Sequence, residues 1–194
     1  MPNTGIAAHR NEGPAQPADW VSQEFAQATL PDRRHRRRLQ KIATAFAQKP
    51  TAPIPQACGS LAEAKAAYRF VENEAIMPAV IRDSHHQATL QRIKAYPLIL
   101  AVQDTTVLDY TTHPCTQGLG PICHTRHNIG LLLHSTLAIT PTGQPLGFLH
   151  NAVRARSRQG RVSSRERRPL ADKESYKWVE SLTACQTVAA LCPE

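Results

Sequence analysis

Two clusters of basic residues stand out in the sequence, because so many like charges in a short segment repel one another unless an anionic partner neutralises them. The first has six cations within the nine positions 33–41. The second has seven arginines within positions 154–168, with Glu166 as the only acidic residue among them. A solvated helix face or a disordered tail is the alternative interpretation of each cluster. Arginine side chains bind phosphate well, so nucleic acid is the leading candidate partner.

Asp104 is the residue best suited to metal chemistry. It follows the apolar run 98–102, and a carboxylate at the end of a buried strand can hold a metal ion on a rigid support. An aspartate that only caps a turn explains the same position, and for this residue alone that is the simpler interpretation. Asp109 is a weak second ligand, because its odd offset of five residues puts it on the other face of a continuing strand.

Other catalytic or metal sites have less support. Cys115, Cys123, His124 and His127 have the spacing C-x7-C-H-x2-H, which lacks both the C-x2-C and the H-x3-5-H step of zinc sites. A loop with scattered thiols and imidazoles is therefore favoured over structural zinc. The sequence contains no G-x-S-x-G segment, so hydrolase chemistry has no support. The five cysteines are irregularly spaced, which favours a reducing cytoplasm over a disulfide framework.

A helix must position the first basic cluster. Leu39, Ile42 and Phe46 have the spacing of an apolar helix stripe, and Asp32 is a suitable N-cap for a helix that ends near position 49. The arginines then lie in the first turns, where the helix dipole also favours phosphate. The second cluster has no such stripe and is predicted to be a mobile basic loop.

Three more helices are predicted around this one, at 18–29, 60–73 and 77–95. Ser60 and Glu63 fit a capping box in which the glutamate reaches back to the N-cap. The prolines at 50, 53 and 55 predict an extended connector. Residues 1–17 are small and polar and predict a disordered lead, so residues 18–95 are predicted to form a helical domain.

The character of the sequence changes after residue 95. The run 98–102 predicts a buried strand, and segments 130–140 and 144–153 predict a hairpin that turns at Pro141–Gly143. A last helix is predicted to begin near Asp172. Three strands and one helix leave a sheet face and a sheet edge uncovered, which native domains avoid. We therefore expect a sequence that stops short.

Composition narrows the class of protein further. The chain has 194 residues, a formal net charge of +8 and a pI near 9.6, with 41% apolar residues. Its longest wholly apolar run has five residues, far short of the roughly 20 that a membrane-spanning helix needs. The first residues also lack the order of a secretory signal. These features predict a cytoplasmic protein of one or two domains.

Several segments resemble, in order, the Tn-five-like DDE transposases of the insertion sequence four family. The resemblance covers about residues 18–185 and rests on these segments: Ala18-Asp19-Trp20 with Phe25, Leu30-Pro31-Asp32-Arg33-Arg34, Arg38-Leu39, Ala66-Ala67-Tyr68-Arg69-Phe70, Val102-Gln103-Asp104-Thr105-Thr106, Gly118-Leu119-Gly120-Pro121-Ile122, Gly130-Leu131-Leu132-Leu133-His134-Ser135-Thr136-Leu137, and Lys173-Glu174-Ser175-Tyr176-Lys177-Trp178. The resemblance implies α then α/β architecture, with a helical DNA-binding domain followed by a truncated RNase H-like core of three strands and one helix. The incomplete catalytic domain would span 96–194.

The resemblance also implies site residues and partners. Double-stranded DNA at transposon ends would be bound by seven cations: Arg33, Arg34, Arg36, Arg37, Arg38, Lys41 and Arg69. Asp104 matches the first of three carboxylates that hold two Mg²⁺ or Mn²⁺ ions, which activate water or a 3′ hydroxyl for in-line displacement. The intact family acts as a dimer on DNA, which for a bacterial element means association with the nucleoid.

The other two carboxylates of the family lie beyond residue 194, so we expect no tight metal binding and no catalysis by this chain alone. Two interpretations remain. The chain is the N-terminal part of a transposase that keeps only DNA binding, or it is a stand-alone DNA-binding protein that antagonises the full-length enzyme. The first is favoured, because an uncovered sheet promotes association and is a poor feature in a selected regulator.

Overall fold

The computed structural model describes residues 17–123, 127–157 and 169–191. The chain divides into two compact units between Ser84 and His85, inside a helix. The domain boundary at 95 remains a prediction about independent folding. Among the described helices, none is long and apolar enough to cross a membrane.

Unit 1 is helical, which confirms the prediction for the N-terminal part of the chain. Its helices are α1 Pro17–Glu24, α2 Arg33–Gln48, α3 Ile54–Ala57, α4 Leu61–Val71 and the first half of α5 Pro78–Ile93. The core contains Ala28, Leu39, Phe70 and Ile76. Helix α1 ends five residues before the predicted position 29, and the short helix α3 interrupts the connector that the prolines predicted to be extended.

Local capping signals fix where α2 and α4 begin. The Asp32 side chain accepts a hydrogen bond from the Arg34 amide at 2.7 Å, and Ser60 Oγ accepts one from the Glu63 amide at 3.2 Å. Both predicted N-caps are therefore confirmed. The second half of the capping box is wrong, because the Glu63 carboxylate pairs with Arg38 and Lys41 of α2 instead.

Unit 2 contains an antiparallel sheet and a helix packed on one of its faces. The strands are β1 Leu100–Asp109, β2 Gly120–Pro121, β3 Ile129–Ile139 and β4 Pro145–Arg154, and the helix is α6 Tyr176–Ala190. Strand β3 is central: β1 pairs along one edge, while β4 and the short β2 pair along the other. The predicted hairpin is confirmed as β3–β4, and the sheet has one short strand, β2, beyond the three predicted.

The second half of α5 and α6 contribute to the core of unit 2. Ile93 packs with Ala138, Leu146 and Leu149 of the sheet, and Val188 of α6 joins them. A polar contact lies on the same face. His134 is 1% exposed, its Nδ1 lies 2.9 Å from the Thr105 hydroxyl, and its ring meets Trp178 of α6 edge-on with 4.6 Å between centroids. Burial is the main cause that lowers the pKa of His134.

Strand β1 differs from its prediction in burial and in length. Leu100 is 45% exposed and Val102 is 47% exposed, so the prediction of a buried strand is wrong. Within the described residues β1 pairs only with β3, so it is an edge strand. It continues to Asp109, which puts Asp104 in the middle of the strand opposite Ser135 rather than at its end.

Candidate nucleic-acid interface

Helix α2 carries most of the predicted DNA contacts and is held against the core by its opposite side. Leu39 is 5% exposed and belongs to the core of unit 1, with Ile42 packed beside it. Arg33, Arg37 and Lys41 are exposed and recur every four residues, so they lie on one side of the helix. A single anchored element therefore presents a stripe of positive charge.

The seven predicted cations fall into two groups by their intramolecular partners. Arg33, Arg37 and Arg69 are exposed and form no ion pair with the described residues, while Arg36 donates only to the Ala28 carbonyl oxygen, at 3.3 Å. Arg34, Arg38 and Lys41 are paired with carboxylates. The sequence pattern does not distinguish these two groups, because it shows neither which carboxylate each cation pairs with nor where each side chain points.

Asp32 holds Arg34 at the start of α2. Its Oδ2 accepts hydrogen bonds from Arg34 Nε at 3.1 Å and Nη2 at 2.8 Å. These bonds, with that from the Arg34 amide, lower the pKa of Asp32 to about 2. The carboxylate is therefore charged at neutral pH, and Arg34 is partly neutralised although its side chain is 89% exposed.

Glu63 of α4 has a similar effect further along α2. It forms an ion pair with Arg38 and lies 3.4 Å from Lys41 Nζ. Burial opposes ionisation of Glu63, but the two nearby cations outweigh it and lower the pKa of the carboxyl. One carboxylate is thus shared by two of the predicted DNA contacts.

A groove of about 620 Å³ lies beside α2 within unit 1. Arg37, Lys41 and Lys49 line it, together with Glu63 and the main chain at Gly59. Lys49 was missed in the sequence, although it continues the four-residue spacing 33, 37, 41, 45, 49. That spacing could have indicated Lys49 as a further cation of the site. It was easy to overlook, because the alanine at position 45 interrupts the row of charged residues.

The second basic cluster is only partly described. Arg154 lies in β4 and forms an ion pair with Glu180, and Arg156 donates to both carboxylate oxygens of Glu174 at 2.9 and 2.7 Å. For Arg154 the prediction of a loop is wrong, because this residue lies in β4; Arg156 follows the strand and is held by Glu174, which lies just before α6. The other five arginines, at 158–168, lie outside the described residues.

Asp104 is exposed in β1, and it belongs to no acidic cluster that could form a metal site in the part of the chain that the structure describes. Asp109 lies on the opposite face of the strand, as its offset predicted. Its Oδ1 accepts hydrogen bonds from the Thr111 hydroxyl and amide at 2.5 and 2.8 Å, and these bonds lower its pKa. Within the described ranges, no three His, Cys, Asp or Glu residues are grouped so as to hold a metal ion. His124 of the C-x7-C-H-x2-H segment lies outside those ranges.

The structure explains why glycine is needed at two positions, 120 and 130, in the segments that resemble the transposase family. A Cβ on Gly130 would overlap the main-chain oxygen of Leu108 in β1, and a Cβ on Gly120 would overlap main-chain atoms of Arg156. Neither position admits a side chain without movement of the backbone. These glycines therefore allow β3 and β2 to approach their neighbours closely.

The helical part of the chain is similar to a known DNA-binding family. Residues 17–76 match the family model described as transposase DNA-binding. The matched segment runs from α1 past the end of α4 and includes all seven predicted cations. The match supports the N-terminal part of a transposase, and it supports DNA as the partner of this segment.

Proposed function

We propose that this chain is the N-terminal part of a DNA transposase and that α2 binds the end DNA of the transposon. The observation that carries the proposal is the stripe Arg33, Arg37 and Lys41 within the matched segment 17–76. Four residues of α-helix rise about 6 Å, so the stripe is about 12 Å long. Each DNA strand has a phosphate about every 3.4 Å along its axis, so the stripe is long enough to contact several phosphates.

The salt dependence of DNA binding tests this proposal. Each phosphate contact contributes about −0.9 to the slope of log K against log salt. Arg33 and Arg37, the two arginines of the α2 stripe, form no ion pair with the described residues and give a slope of about −1.8. Engagement of the ion-paired Arg34, Arg38 and Lys41 as well would give about −4.5. A folded protein whose slope is near zero would contradict DNA binding by α2.

We also propose a catalytic function for the intact protein, of which this chain would be one part. The intact protein would cut and join DNA strands, and it would contain an RNase H-like core with Asp104 as one carboxylate of a two-metal site. The described residues alone do not fit two metal ions, because Asp104 has no acidic neighbour on its strand face. We therefore expect no nicking of DNA in the presence of Mg²⁺ or Mn²⁺. Cleavage that Asp104→Ala abolishes would refute this expectation.

The alternative is a stand-alone DNA-binding protein that antagonises a full-length transposase in the bacterial cytoplasm. It uses the same stripe on α2, so a binding assay does not separate the two functions. The DNA downstream of codon 194 does separate them. A strand with an aspartate and a later helix with a glutamate, in any reading frame, would favour the transposase part; unrelated sequence after a clean stop would favour the antagonist.

A further inference from the structure

The groove beside α2 has the charge of a phosphate site. Three cations line it, Arg37, Lys41 and Lys49, against the single carboxylate of Glu63. Lys49 Nζ donates at 3.1 Å to the main-chain oxygen of Gln56. That acceptor is neutral, so the charge of Lys49 is not compensated there. The excess of positive charge makes the groove attractive to anions.

The walls of the groove also suit a sugar–phosphate backbone. Gln40, Thr44 and Gln48 contribute neutral hydrogen-bonding side chains, which are common contacts to phosphate oxygens. Gly59 exposes its main chain, since a Cβ there would meet no atom within 4 Å. A ligand can therefore approach this wall closely.

Glu63 already places an anion between cations of the groove region. Its carboxylate contacts both Arg38 and Lys41, and its side chain is 39% exposed. A carboxylate and a phosphate offer the same kind of oxygen acceptors to these cations. A phosphate that approached Lys41 would therefore have to compete with Glu63.

We infer that this groove binds a segment of the DNA backbone and that Glu63 weakens this binding by holding Arg38 and Lys41. The inference rests on the proposed DNA binding and extends it in two ways. Lys49 becomes a phosphate contact, and Glu63 becomes a residue that sets affinity by competition. The paired cations engage DNA only when a phosphate displaces the carboxylate.

The test compares charge changes inside the groove with the same changes outside it. Lys49→Gln is matched by Lys65→Gln on α4, and Glu63→Gln is matched by Glu74→Gln; both control side chains are exposed and do not line the groove. The probe is a labelled duplex of about 30 base pairs and arbitrary sequence, titrated at several salt concentrations. Circular dichroism melting of each variant verifies that unit 1 is folded.

The expected results have opposite signs. Lys49→Gln weakens binding about 3- to 10-fold and makes the salt slope shallower by about 0.9. Glu63→Gln tightens binding about 3- to 10-fold and makes the slope steeper, because released cations contact phosphates. Each control changes affinity by less than about 2-fold. The gain from Glu63→Gln is lost when Lys41→Ala and Arg38→Ala are added.

Each contrary result has a defined meaning. Equal effects of groove and control variants would overturn the inference but leave DNA binding by α2 intact. Absence of binding by the folded wild-type chain would refute the proposed function and the inference together. If Glu63→Gln prevents folding, Lys49→Gln still decides whether the groove binds the DNA backbone, since Lys49 donates to Gln56 and forms no ion pair with Glu63 within the described residues.

Discussion

The neighbouring residues Arg36 and Arg37 allow the interface on α2 to be tested with two variants of equal charge. Both side chains are exposed. Arg37 lines the groove and has no ion pair within the described residues, while Arg36 Nη2 donates to the Ala28 carbonyl oxygen. The two substitutions to alanine therefore remove the same charge from different environments. We expect Arg37→Ala to affect DNA binding more than Arg36→Ala.

The expected size of the effect follows from one lost phosphate contact. Arg37→Ala should reduce the magnitude of the salt slope by about 0.9, so the loss of affinity between 50 and 200 mM salt becomes about 3.5-fold smaller than in the wild type. Arg36→Ala should change the slope less. It should instead lower the free energy of unfolding by about 0.5 kcal/mol, a small loss because the Leu30 amide also donates to the Ala28 oxygen, at 3.0 Å.

Fluorescence anisotropy with a labelled duplex measures the slope, and urea denaturation measures the free energy of unfolding. Arg33→Ala is a positive control, since this exposed residue lies on the same stripe as Arg37. Equal slopes for the Arg36 and Arg37 variants would refute the assignment of the stripe as the DNA-binding face. A larger slope change for Arg36→Ala would point to the α1 side of the helix instead.

Three further predictions concern stability. Ser60→Ala should cost about 1 kcal/mol in urea denaturation because the cap of α4 is lost, whereas Ser60→Thr keeps the hydroxyl; equal losses would contradict the capping role. Gly130→Ala should cost about 1–3 kcal/mol, since its Cβ overlaps the Leu108 oxygen; an unchanged denaturation midpoint would contradict this. Hydrogen bonds from Arg156 lower the pKa of Glu174 below its ordinary value of 4.5. The stability gained from this depressed pKa is present above that value and is lost as pH falls through the folded-state pKa. The stability difference between wild type and Glu174→Gln should therefore shrink below about pH 4.5, and a constant difference would contradict the pairing.

The helices of unit 1 could be predicted because their signals are local. The apolar spacing of Leu39, Ile42 and Phe46, and the caps Asp32 and Ser60, each act within a few residues of sequence. The ion pair between Arg38 and Glu63 joins residues 25 positions apart. It depends on how α2 packs against α4, which no local pattern records, so Glu63 was interpreted only as a capping residue.

Strand β1 shows the same limit in unit 2. The run 98–102 predicted a strand, which is confirmed from Leu100 onward. An apolar run alone does not show whether other elements of the fold bury the strand. The polar residues Gln103 and Asp104 suggested that the strand ends there. At the edge of a sheet such residues can face solvent, so the strand continues and Asp104 lies in its middle.

The contact between Trp178 and His134 allows the folding of unit 2 to be followed by intrinsic tryptophan fluorescence. The chain has two tryptophans, and each compact unit holds one: Trp20 lies in unit 1 and Trp178 in unit 2. Burial lowers the pKa of His134 below its ordinary value of 6.5, so the neutral ring predominates at pH 7. Replacing either tryptophan by phenylalanine leaves a single emitter. Its spectrum then follows the melting of one unit alone and reveals whether both halves unfold in one transition.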